Sequence, residues 1–234
     1  MEIIGRRDEK EVLRRCAESG RPEFLAVYGR RRVGKTFLVR EFFADNLLFH
    51  FTGAQKASTA QQLVHFDEAL SEHGHAASQT CSNWHQGFVQ LKRLIQNSSK
   101  DRKIVFIDEL PWLATPQSDF LAALEYFWNS WGSSRPDLLL IVCGSATSWI
   151  IDNIISDHGG LHNRVTRQLQ LAPFSLSECE AFLQSRGIVF NRYQIAEMYM
   201  ILGGVPYYLD YLERDLSPAM NIDRMLFAPN APLS

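Results

Sequence analysis

Eight residues constrain this chain more than any others: Gly29-Arg30-Arg31-Arg32-Val33-Gly34-Lys35-Thr36. Two glycines five apart, then lysine and a hydroxyl residue, is the spacing of a loop that wraps a phosphate. Without a Cβ, the glycines let backbone N–H groups turn inward on the anion. The flanks agree with that reading. Glu23–Tyr28 (EFLAVY) is a short apolar run, the pattern of a buried parallel strand. Residues 35–44 carry Phe37, Leu38, Phe42 and Phe43 at helical spacing. A strand, a glycine loop and a helix in that order place a helix N-terminus against the phosphate. Lys35 is then expected to bridge the β- and γ-phosphates, and Thr36 to give one oxygen to Mg²⁺. Arg30, Arg31 and Arg32 raise the positive potential around a polyanion, with direct nucleic-acid contact as the alternative.

The rest of the chain continues the alternation. Strands are predicted at Leu47–Thr52 and at residues 104–107, 138–143 and 167–171. Helices are predicted over residues 8–17, 58–72, 83–96, 119–131 and 148–155. From residue 175 the pattern becomes purely helical: 175–186, 193–202, and a short helix after Gly203-Gly204-Val205-Pro206. Strand and helix in alternation imply an α/β fold with a parallel sheet of about five strands, covered on both faces. Apolar residues make up 46% of the 234, enough to pack such a core. The expected organisation is a core over residues 1–172, a small all-helical lid over 173–212, and a proline-containing tail over 213–234 or the start of a further domain.

Ile104-Val105-Phe106-Ile107-Asp108-Glu109 reads as a strand that delivers two carboxylates to its carboxyl end. Ligands of open α/β sheets sit at that edge. Asp108 is expected to hold Mg²⁺ through water, and Glu109, turned elsewhere, to polarise an attacking water. The pair favours hydrolysis over small-molecule kinase chemistry. The run 138–143 brings Gly144-Ser145 to the same edge. Ser145 is a candidate for touching the γ-phosphate or orienting the water, or for capping the following helix.

These segments resemble the archaeal-type ATPases, AAA+-like members of the STAND-related P-loop NTPases. The likeness rests on Ile4-Gly5-Arg6 with Glu9 and Glu11, on residues 27–36, on Phe106-Ile107-Asp108-Glu109, and on Gly203-Gly204-Val205-Pro206-Tyr207-Tyr208-Leu209; residues 171–178 look like that family's link into its lid. The resemblance implies the additional-strand class of P-loop NTPase, a three-layer sandwich followed by the helical lid. It implies an ATP or ADP site formed by Ile4, Gly5 and Arg6 on the adenine side, by Gly29 through Phe37 on the phosphates, and by Pro206 packing on the base. Arg164, or failing that Arg167, stands where such proteins carry a transition-state finger, which a homo-oligomer would supply. The implied activity is Mg²⁺-dependent ATP hydrolysis coupled to lid movement. The alternatives are a slow nucleotide-gated switch that retains ADP, and the ATPase module of a DNA-associated or defence system. Relatives usually run on into a winged helix and often a nuclease-like domain. The end at Ser234 is therefore read as a truncation or as loss of the effector, which would carry any nucleic-acid or protein partner.

Other residues read as structural. A net charge of −2 and a pI near 6.4 exclude a generally basic nucleic-acid coat protein. Cys16, Cys81, Cys143 and Cys179 lack C-x-x-C spacing, so no zinc ribbon or disulfide framework is expected. With no signal-like start and no membrane-length apolar run, a cytoplasmic location is expected. His73-Gly74-His75 reads as a polar loop, and His50, His158 and His162 are assigned no role. Trp84, Trp112, Trp128, Trp131 and Trp149 read as core, with Trp112 nearest the expected site.

Overall fold

Parallel strands buried on both faces are expected to be near-continuous apolar runs, and the central strands are, apart from the buried Glu23 at the start of the first of them. In the computed structural model, which describes residues 2–75, 80–115, 117–156, 161 and 163–233, β1 (Glu23–Tyr28) and β4 (Leu138–Gly144) are buried at every position. With β2 (Leu47–Thr52), β3 (Lys103–Asp108) and β5 (Arg167–Gln170) they form one parallel sheet in the order β2-β3-β4-β1-β5. β4 lies between β1 and β3, which is the extra strand expected of the additional-strand class. His158 and His162 lie outside the described residues.

Register sets the height of each strand end. Val142 of β4 pairs with Ala26 of β1 and with Ile107 of β3. Tyr28-Gly29, Asp108-Glu109 and Gly144-Ser145 therefore leave the sheet at one level, on its carboxyl edge. The topology thus brings three segments far apart in the chain to one edge.

The chain packs as two units. One comprises Asp8–Gly29 and Lys35–Gln170; the other comprises Met1–Arg7, Arg30–Gly34 and Leu171–Ser234. In the first, the sheet packs with α1 (Arg7–Glu18), α2 (Lys35–Phe43), α3 (Thr59–Glu72), α4 (Trp84–Asn97), α5 (Leu110–Leu113), α6 (Phe120–Ser130) and α7 (Thr147–Ile150). α3 begins with a reciprocal cap between Ser58 and Gln61, the kind of terminus whose loss costs about 0.5–2 kcal/mol. Residues 148–155, predicted as one helix, are α7 continued by a π turn over Ile151–Ile155. An aromatic cluster fills the space between β2, α3, α4 and α6. Trp84, fully buried, stands 4.8 Å from Phe120, 5.4 Å from Phe66 and 6.3 Å from Phe51 between ring centroids.

The second unit is helical: α8 (Leu176–Ser185), α9 (Arg192–Leu202), α10 (Pro206–Leu209) and α11 (Pro218–Ile222). Its own core includes Phe174, Leu183, Ile195, Met198, Leu209 and Met225. α8 and α9 both open with reciprocal caps, Ser175 with Glu178 and Asn191 with Gln194. Gly204 at φ +64° is required here, because a Cβ would sit 2.4 Å from the Phe174 carbonyl oxygen.

Candidate functional site: a phosphate loop and two carboxylates at one sheet edge

The phosphate loop leaves β1 with three residues at positive φ: Gly29 at 145°, Arg32 at 68° and Gly34 at 92°. Two of the three are glycine, as such a backbone favours. Arg32 is the exception, and its side chain is engaged with α10. Its guanidinium lies 4.8 Å from the Tyr207 ring centroid and 5.5 Å from that of Tyr208, and donates to the Tyr208 hydroxyl at 3.3 Å. The Arg32 carbonyl accepts from the Tyr207 N–H at 3.5 Å. Arg30 and Arg31 are exposed.

Ile4-Gly5-Arg6 belongs to the same unit. Gly5 and Arg6 are both left-handed, at φ +65° and +56°. The Arg6 N–H donates to Glu178 Oε1 at 2.8 Å, and its buried guanidinium donates to the Val33 carbonyl at 3.2 Å while lying 4.6 Å from the Phe174 ring. Burial opposes ionisation of Glu178. The N–H groups of Arg6 and Ser175 and the Ser175 hydroxyl outweigh it and hold the carboxyl below the usual range. The fold thus ties the N-terminal segment, the phosphate loop and the start of α8 together. Pro206 opens α10, where its missing N–H costs nothing.

At the sheet edge, Lys35 is 6% exposed, and its ammonium donates to the Gly29 carbonyl across the loop at 2.9 Å. Thr36 donates its hydroxyl to Asp108 Oδ2 at 2.5 Å. The other oxygen of this buried carboxylate, Oδ1, accepts the Glu109 N–H at 2.8 Å. A hydroxyl and a carboxylate side by side are an all-oxygen donor set, which suits Mg²⁺ and its retained waters. Phe37, next on α2, is 38% exposed.

Glu109 takes the left-handed conformation, φ 49° and ψ 49°, and so turns away from Asp108. The Ser145 hydroxyl donates to Glu109 Oε2 at 3.0 Å, and the Ser145 N–H to the same oxygen at 3.4 Å. Ser145 is not the cap of α7; that position is Ala146, whose side chain makes no capping bond. The two carboxylates therefore have different partners, one the hydroxyl of α2 and the other the strand end of β4.

The remaining candidates lie elsewhere. β5 pairs Arg167 with Leu25 and Gln170 with Tyr28. Arg167 is thus three residues short of the carboxyl edge, and Arg164 precedes it toward the amino edge; both are exposed. His73 Nδ1 is 2.7 Å from the Ala69 carbonyl, and His75 Nε2 is 2.8 Å from Gln90 Oε1. Cys143 is fully buried, and burial raises its thiol pKa well above the ordinary value. Trp112 is half-buried, and its carbonyl accepts from Gln62, a residue not singled out in the sequence reading. The signal for Gln62 was there: it shares the inward stripe of α3 with Phe66 and Ala69.

Known proteins share this architecture. A solved structure of a Walker-type ATPase of Pyrococcus abyssi, PABY2304, matches with a TM-score of 0.67 at 20% identity, over 89% of this chain and 66% of that one. The ORC2 protein of Aeropyrum pernix, solved in ADPNP and ADP complexes, matches with a TM-score of 0.62 at 16% identity, over 90% and 62%. An uncharacterised protein of Methanocaldococcus jannaschii, MJECL04, is 24% identical over 222 residues, 92% of this chain and 46% of its own length. The chain thus spans about half the length of that relative. Among the described residues, no helix is long and apolar enough to cross a membrane. The family of ATPase domains found predominantly in Archaea matches residues 4–212. With a P-loop fold and nearly its whole length matched, the chain belongs to that ATPase family.

Proposed function

We propose that this chain binds ATP with Mg²⁺ and hydrolyses it to ADP and phosphate. The observation that carries the reading is the separation of Asp108 from Glu109. Asp108 is committed to Thr36, whereas Glu109 is turned left-handed and held by Ser145. In this reading one carboxylate stands beside the hydroxyl that would share the metal with it, and the other takes a proton. In the reaction, a water oxygen forms a bond to the γ-phosphorus, the bond to the bridging oxygen of ADP breaks, and the water proton passes to Glu109. Lys35 and the loop N–H groups neutralise charge on the phosphates, and Thr36 and Asp108 would hold Mg²⁺. When bound, Mg²⁺ neutralises the phosphate oxygens and helps orient them. Ser145 fixes the base; Ile4, Gly5, Arg6 and Pro206 are assigned to the adenine side. Given its place toward the amino edge, Arg164 is assigned a finger role only toward the site of a second copy.

The Arg32 contacts support conformational coupling in the same reading. Its main chain is part of the phosphate loop, and its side chain is packed on Tyr207 and Tyr208 of the helical unit. A change in the loop on phosphate release is passed to α10 through that arginine.

Thr36→Val tests the metal assignment. The variant keeps the side-chain volume but loses the oxygen. The Mg²⁺ concentration for half-maximal phosphate release should rise about 10- to 100-fold, with ATP affinity in EDTA unchanged. A Mg²⁺ titration that superimposes on the wild type would remove Thr36 from the metal site.

A further inference from the structure

The turn that carries Glu109 is held from outside the catalytic set. Gln62 on α3 is 2% exposed, and its amide is fully used. Its Oε1 accepts the Ala54 N–H at 3.0 Å; its Nε2 donates to the Ala54 carbonyl at 2.7 Å and to the Trp112 carbonyl at 3.2 Å. Two carbonyls against one amide and a single N–H against the other end fix which way the side chain points. Trp112 in turn donates its N–H to the Glu109 carbonyl at 2.9 Å. A buried, saturated side chain therefore links α3, the segment after β2 and the first turn of α5, two bonds from the backbone of Glu109.

The strands on either side of β3 close the same turn. The Gly53 N–H donates to the Asp108 carbonyl at 3.0 Å, and a Cβ at Gly53 would lie 2.9 Å from the Glu109 carbonyl oxygen. A Cβ at Gly144, on the other side, would lie 2.9 Å from Pro111 Cδ. The Glu109–Trp112 turn passes between two positions with no room for a methyl group. Left-handed backbone at a non-glycine residue persists where its surroundings over-determine it, and these are such surroundings.

We propose that Gln62 is a positioning residue for the water-activating carboxylate: by holding the Trp112 carbonyl it keeps the Glu109 turn left-handed and its carboxylate beside Ser145. This rests on Glu109 being the base. The test compares steady-state ATP hydrolysis and ATP affinity of the full chain in wild type, Gln62→Met, Glu109→Gln and the double variant. Methionine preserves length and burial but makes none of the three bonds. Gln62→Met should lower kcat about tenfold or more while leaving KM and ATP affinity within about twofold, the split expected when an interaction serves only the transition state. In the double variant the effect of Gln62→Met on residual turnover should vanish, since residues acting as one unit are not additive. If Gln62→Met does not fold, Gln62→Leu, which also makes none of the three bonds and buries no charge, takes its place in the same comparison. A normal kcat in the Gln62 variant beside an inactive Glu109→Gln overturns the proposal alone. So does an equal loss of affinity and kcat, or an undiminished effect in the double variant. Normal turnover by Glu109→Gln instead overturns the base assignment beneath it.

Discussion

Replacing Lys35 with alanine should abolish nucleotide binding: ATP and ADP affinity are both expected to fall at least about 100-fold, as read by isothermal titration or by loss of ligand-induced thermal stabilisation. The size follows from what the side chain does. Its ammonium is nearly buried and already aimed across the loop at the Gly29 carbonyl. Meeting phosphate oxygens there, as proposed, it would make charge-assisted hydrogen bonds worth about 1.5–3 kcal/mol each. Two such bonds correspond to roughly 100-fold or more in affinity. The fold should survive, because α2 keeps Leu38, Val39 and Phe43 in the core. A Lys35→Ala protein that binds ATP with wild-type affinity would place the nucleotide elsewhere.

Glu109→Gln has the opposite profile. Glutamine keeps the size of the side chain and its capacity to accept from Ser145 through the amide oxygen. The variant should bind ATP within about threefold of the wild type, because the proposed mechanism gives Glu109 no part in holding phosphate. Turnover should fall about 10²- to 10⁴-fold, the range that general-base catalysis supplies. A trapped, ATP-bound protein is the expected product. The two variants would separate binding from chemistry, since one removes the proposed partner of the phosphate and the other that of the water.

Much of this was readable from the chain, for identifiable reasons. β1 and β4 are buried on both faces, so their apolar runs are uninterrupted and stand out without an alignment. The phosphate loop is legible because its backbone needs glycine at Gly29 and Gly34 and its chemistry needs Lys35 and Thr36. Helix starts at Ser58, Asn83 and Ser175 follow from side chains that cap locally. What was not legible is non-local. Strand order, with β4 between β1 and β3, follows from no local pattern and was expected only through the family resemblance. The four-residue α5, Leu-Pro-Trp-Leu, is too short to have a period and is kept by Gln62 from α3. Arg32 pairs with Tyr208, 176 residues on, a partnership no local pattern announces. Glu109 shows both sides of this. Its place at a strand end was legible, whereas its left-handed turn and its bond to Ser145 were set by neighbours on two other strands.

The central claim is that this chain cleaves ATP. It is tested most directly by following radiolabelled ATP on excess wild-type protein through a single turnover, with Mg²⁺ and with EDTA. The account predicts that each bound ATP becomes one ADP and one inorganic phosphate in Mg²⁺, and that EDTA stops the conversion. Recovery of the bound ATP intact after prolonged incubation with Mg²⁺ would contradict it.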